Sequence, residues 1–185
     1  VNWHSDLGNM DYNAGGNFWY NTGQVVQAIA IIFFAGGLFI LNEKYKNLSI
    51  RKGQIFLILA GIALLICGGL YPETASDIQL IEKSSTERNF SFLTSPHIVL
   101  TFLLFIFLSI GIGILAWKLR SLSEYKTAST IGMFAFAANA IILPANILFN
   151  IPIVEYIAVF SAEIFIAFLG IHILKNSRSL YIITE

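Results

Sequence analysis

The chain has 185 residues, of which 56% are hydrophobic and 12% charged, and its mean hydropathy is +0.73. An average soluble domain is roughly 45–50% apolar and about 25% charged, so this composition excludes an ordinary soluble domain and assigns the chain to a lipid bilayer. Eleven basic and eleven acidic residues cancel, which removes any bulk attraction to polyanions, and without a basic stripe no nucleic-acid partner is expected.

Taken in chain order, five apolar segments are long enough to cross the hydrocarbon core, which needs about 17–25 helical residues. They are Gln24–Leu41, Ile55–Tyr71, Ile98–Leu119, Ala128–Phe149 and Ile153–Leu174. The runs lack strict alternation, so internally hydrogen-bonded helices are expected and a strand barrel is not. The predicted fold is therefore all-α: one polytopic membrane bundle over residues 1–185, with an amino-terminal segment at 1–23 and a longer connection at 72–97 that has room for a small structured cap. Asn150 and Pro152 mark a tight turn between the last two helices, which then form an antiparallel hairpin.

The charges orient the bundle. Lys44, Lys46, Arg51, Lys52, Lys118, Arg120, Lys126, Lys175 and Arg178 all fall on one side. On the other side Asp6, Asp11, Glu73, Asp77, Glu82 and Glu87 face only Lys83 and Arg88. Basic flanks stay in the cytoplasm, so segments 1–23 and 72–97 are expected outside and the carboxyl terminus inside, in the cell membrane. An external amino terminus ahead of an odd number of helices must itself be translocated, by a cleaved signal or by a preceding helix absent from this chain.

Several short stretches resemble the domain-of-unknown-function family 998. They are "SDLGN" at Ser5–Asn9, "FWYNTGQVVQAIAIIFFAGGLFIL" at Phe18–Leu41, "GIALLICGGLYPETASD" at Gly61–Asp77, "SPHIVLTFLLFIFLSIGIGILA" at Ser95–Ala116, and the helix that carries Glu163. The resemblance implies a small polytopic prokaryotic membrane protein, usually of six helices, the first of which is missing here, and it implies no reaction. The 72–97 connection is longer than the resemblance leads one to expect.

Candidate chemistry lies on the acidic side. His4, Asp6, Glu73, Asp77 and His97 combine carboxylates with imidazoles, the ligand set of a hydrolytic transition-metal site. His4 and Asp6 align only in an extended segment, and Glu73 and Asp77 only on a helix with Pro72 in its first turn. The competing reading is structural: the acids favour a helix amino terminus, Asp6 supports a turn, and His97 sits at the interface. "NFS" at Asn89–Ser91 is a glycosylation sequon on the expected external side. The lone Cys67 excludes an internal disulfide and reads as a small apolar helix residue. Gly36–Gly37, Gly68–Gly69 and Gly111–Gly113 read as sites of close helix packing, and Trp3, Trp19, Tyr20, Tyr71, Trp117 and Tyr156 as interfacial belts. His172, near the cytoplasmic end of its helix, reads as an interfacial residue against the alternative of a proton relay. No cofactor motif is present.

Glu163 stands alone in apolar sequence. Counting from a turn at Ile151, Asn139 and Glu163 lie about 18 Å along their helices at ~1.5 Å per residue, so a neutral Glu163 bonded to the Asn139 amide is the expected intramembrane pair. Three functions remain open on these residues. The first is an accessory or scaffold subunit of a larger membrane complex, partnered by lipid and other subunits; the second is an external metal-dependent hydrolase; the third is a small proton-coupled carrier centred on Glu163 and Asn139.

Overall fold

The computed structural model describes residues 5–9, 11, 13–45, 49–87, 91–149 and 153–181; the side chains of 5–6, 81–82, 84–85, 91–92, 142–149, 153–155 and 177–181 fall outside that description. Among the described residues, six α-helices follow in order: α1 (Asn17–Lys44), α2 (Arg51–Leu70), α3 (Ala75–Glu87), α4 (Pro96–Leu119), α5 (Lys126–Phe149) and α6 (Ile153–Tyr181). Single turns of tighter helix occupy Ser5–Gly8, Ser91–Thr94 and Ser123–Tyr125, and no strand occurs among the described residues. The helices run past the apolar segments at several ends: α1 begins at Asn17, inside the 1–23 segment, and α2 at Arg51. Backbone hydrogen bonding continues into polar sequence, whereas hydropathy marks only the part suited to hydrocarbon.

Among the described residues, α1, α2, α4 and the Tyr156–Asn176 portion of α6 are long and apolar enough to cross a membrane. Their outward faces are apolar as well: Phe33 is 76% exposed and Phe134 on α5 is 69% exposed. Large side chains left so open in water would mark a sticky patch; on helices of this length and hydropathy they suit contact with lipid.

The five long helices are arranged as an arc in which each packs chiefly on the long helix before it and the one after it, α3 excepted, which lies at one end. Leu38, Leu57, Ile112, Leu115, Leu119, Phe165 and Leu169 are fully buried along its inner seams. The α2–α4 seam is close. A Cβ placed at Gly53 would stand 3.0 Å from the Gly111 carbonyl oxygen, and one at Gly111 would stand 3.1 Å from that of Gly53. Two facing glycines thus let the backbones meet, the packing device used where no hydrophobic force separates helix from solvent. Gly36 and Gly37 do not serve this purpose. No described atom lies within 4 Å of a Cβ at either position, so the expectation of close packing there is corrected: that face of α1 looks outward.

At the basic end, Ser123–Tyr125 ties three helices together. The Tyr45 hydroxyl bonds Glu124, Lys44 Nζ lies 3.8 Å from the same carboxylate, and the Tyr45 ring meets Tyr125 edge-on at 6.3 Å. Tyr125, 1% exposed, in turn meets His172 edge-on at 4.8 Å, and His172 stacks on Phe168. Burial pushes the Tyr125 phenol above its ordinary pKa, against a hydrogen bond from Asn176 that pulls the other way. His172 is therefore a packed ring of this corner.

Replacing Gly111 by Val is expected to force α2 from α4 and lower stability by about 1–3 kcal/mol, read as a fall in melting temperature of the detergent-solubilised protein. Gly37→Ala, in open space, is expected to leave it unchanged or slightly raised.

Candidate functional site

Two groups of polar side chains lie among apolar surroundings, one at the acidic end of the arc and one midway along it. The first is built where α2 stops. The chain leaves α2 at Tyr71, turns through Pro72, and enters α3 at Ala75. Thr74 caps α3: its backbone N–H and its hydroxyl both donate to Asp77 Oδ2 at 2.8 Å. This is the half of a capping box in which the third helical residue reaches back to the cap. From the amino-terminal segment, Asp11 Oδ2 accepts a bond from Ala75 N at 3.0 Å. Two carboxylates thus serve the exposed N–H groups at one helix start, where the helix dipole also favours negative charge. The helix places Pro72 before the cap, so the expected alignment of Glu73 with Asp77 along one helical face is corrected: Glu73 lies in the extended link and is buried there.

His97 opens α4 beside this link. Ser95 caps the helix by accepting from Ile98 N at 3.3 Å, and Pro96 occupies the first turn. The His97 ring is buried, with Nδ1 2.8 Å from the Tyr71 carbonyl oxygen and 3.3 Å from Cys67 Sγ. A carbonyl oxygen only accepts, so Nδ1 carries the proton and donates it to Tyr71 O. The imidazole then has no lone pair facing the thiol, which also lies 3.5 Å from Thr101 Oγ1. A nucleophilic cysteine needs a base that takes its proton. This pair is arranged instead to tie the end of α2 to the start of α4.

Of the proposed metal ligands, the structure brings Glu73, Asp77 and His97 to one corner, and among the described residues no three His, Cys, Asp or Glu side chains form a metal-holding group. His4, the Asp6 side chain and Asn89 lie outside the described residues.

The second group corrects the expected intramembrane pair. Asn139 is fully buried, and its Nδ2 donates to Ala135 O at 2.9 Å and to Ala158 O at 3.1 Å, with Ser161 Oγ at 3.4 Å. Ser161 Oγ donates to Ala158 O at 2.9 Å. Asn139 therefore binds the α6 backbone. Glu163 turns to another helix altogether: its Oε1 accepts from Gln27 Nε2 of α1 at 2.5 Å. Depth along the helix does not fix azimuth, and Glu163 points toward the end of the arc where α1 and α6 touch sparsely. Gln27 is the partner that the sequence reading passes over. Its signal is present in "GQVVQAIAIIFF", where a second lone amide sits in an apolar helix.

On the α5–α6 surface, Ile131, Phe134, Tyr156, Ile157, Phe160 and Ile164 line a groove that presents almost no polar atoms.

Apolar outward faces and long apolar helices packed on one another define a polytopic α-helical protein of membrane type. Residues 2–172 match the family described as "Protein of unknown function (DUF998)", and the chain belongs to that family. No curated protein and no solved structure matches the chain.

Two outcomes follow from this geometry. Asp77→Ala removes the carboxylate oxygen that accepts both Thr74 bonds and is expected to destabilise the protein by about 1 kcal/mol, seen as faster amide exchange in α3. In double-mutant cycles, Gln27→Leu and Glu163→Leu are expected to couple by about 0.6 kcal/mol, the usual size of an interhelical bond in a bilayer. Asn139→Leu and Glu163→Leu are expected to add within about 0.5 kcal/mol, because they share no partner.

Proposed function

We propose that this chain is a non-catalytic accessory or scaffold subunit of a membrane complex, crossing the bilayer five times with its amino terminus and α3 outside and its carboxyl terminus in the cytoplasm. One observation carries the reading: at the acidic end, the carboxylates of Asp11 and Asp77 are directed at backbone N–H groups that start α3, and the His97 ring is held by the Tyr71 carbonyl. These groups shape a surface. α5 supplies the fifth crossing in this reading, since its 24 residues give about 36 Å at ~1.5 Å per residue, more than the ~30 Å of hydrocarbon. Seven basic residues of the described helices and turns, Lys44, Arg51, Lys52, Lys118, Arg120, Lys126 and Lys175, gather at the end opposite α3, which supports the orientation.

A second reading, a small proton-coupled carrier, is favoured by the Gln27–Glu163 bond at the sparsest seam of the arc. In it, Glu163 carries a proton and the seam opens.

Purification from native membranes, followed by mass spectrometry, is expected to recover a stoichiometric membrane partner and no stoichiometric transition metal. A metal lost together with His97 would replace the scaffold by the hydrolase. For topology, a cysteine at Lys83 is expected to react with an impermeant thiol reagent in intact cells and one at Ser123 to stay unlabelled; native Cys67, 2% exposed, gives little background. In liposomes, pH-driven flux that disappears in Glu163→Gln while the fold survives would favour the carrier.

A further inference from the structure

The basic end of the arc is not uniform. Lys44 has Glu124 as its partner, whereas Arg51 and Lys52 have no acidic partner among the described residues. Both stand exposed in the first turn of α2, which contains no acid and whose preceding residue, Ile50, offers no side-chain cap. Positive side chains at the positive end of a helix repel the exposed N–H groups, so this turn carries an uncompensated field. α4 brings a third cation to the same end of the bundle. Gly53 of α2 packs against Leu115, and Arg120 lies five residues beyond Leu115, with its guanidinium 4.2 Å over the ring of Trp117. Trp117 itself is 56% exposed.

The outward faces below these charges are continuous and apolar. On α2, Ile55, Leu59 and Ile62 follow Lys52 at spacings of three and four; on α4, Leu103, Ile106, Ile110 and Trp117 share one face. Cations and an indole at the rim, above two apolar stripes on tightly packed helices, match an amphiphile with a negative head and hydrocarbon tails.

We propose that the outer α2–α4 face binds an anionic phospholipid, with Arg51, Lys52 and Arg120 at its phosphate and Trp117 at the level of its glycerol backbone. The α5–α6 groove lacks such a head site among its lining residues, and a second copy of the chain would bring like charges together at this rim. The inference goes beyond the scaffold reading and stands apart from it, because it requires only that the helices lie in a bilayer.

The test uses the full chain, stripped of lipid in detergent and titrated with phosphatidylglycerol or with phosphatidylcholine of the same acyl chains, with bound lipid counted by native mass spectrometry. Phosphatidylglycerol is expected to bind more tightly. A basic residue near an anionic headgroup contributes about fivefold in affinity, so the triple variant Arg51→Gln, Lys52→Gln, Arg120→Gln is expected to lose the preference by tenfold or more while its melting temperature in phosphatidylcholine stays that of the wild type. Lys126→Gln with Lys175→Gln, at the same end on other helices, is expected to keep the preference. Should the triple variant prove unstable, Arg120→Gln alone is expected to lose about fivefold. Equal binding of the two lipids overturns the proposal, as does equal loss in the control pair, which would mark a diffuse surface charge. A change of oligomeric state in place of lipid counts also overturns it, in favour of a second copy.

Discussion

A hydrogen-bonding group surrounded by hydrocarbon finds its partner inside the protein or remains unsatisfied at a cost of several kcal/mol. That constraint explains the structure from one end to the other. It makes the long segments helical, since only a helix satisfies its own backbone, and it sends several interior side chains to a neighbouring helix. Asn139 and Ser161 reach the Ala158 carbonyl, Ser129 Oγ reaches the Ala116 carbonyl at 2.8 Å, and Glu163 reaches Gln27. Each of these bonds joins two helices or fixes a side chain at their contact. The apolar contacts around them are numerous but undirected, because lipid tails are as good a solvent for Leu and Ile as another helix is. Shape therefore decides packing, as where Gly53 faces Gly111, and polar groups decide register.

The ends of the arc obey a different balance. There the helix termini carry N–H and C=O groups without intrahelical partners, and side chains from distant segments supply them. Asp77 and Asp11 do so for α3, Ser95 for α4. An acid or a histidine at such a position has a structural task that uses the very lone pairs or protons a catalytic site would need. The Cys67–His97 contact illustrates this: proximity alone would mark a thiol–imidazole pair, but the Tyr71 carbonyl fixes the proton on the nitrogen that faces the sulfur.

The architecture was legible in the sequence because hydropathy over about twenty residues is a strong signal, and the family resemblance rested on local motifs that need no tertiary information. Partners were less legible. Equal depth of Asn139 and Glu163 follows from counting residues, but which way each points depends on rotation about the helix axis, and a helix with apolar residues on all sides gives no amphipathic stripe from which to read that rotation. The same limit hid the outward position of Gly36 and Gly37, which look like any packing pair in sequence. The link at Pro72–Thr74 misled for a further reason: Pro72 fits a first helical turn, but Thr74 with Asp77 makes the better cap, and the helix starts there.

The sparse contact between α1 and α6 bears on how the molecule is made. Each long helix packs mainly on the one synthesised just before it, so contacts accumulate between neighbours in the chain as successive hairpins enter the bilayer, and little must wait for distant sequence. The Gln27–Glu163 bond runs against this order, joining residues 136 apart, farther than the Tyr45–Glu124 bond at 79. Gln27 precedes Glu163 by most of this chain and meets it only once α6 has followed. During that interval its amide is exposed on the open flank of a growing arc, available to any other chain with a polar group at the same depth, and closure by α6 is the step that ends its availability.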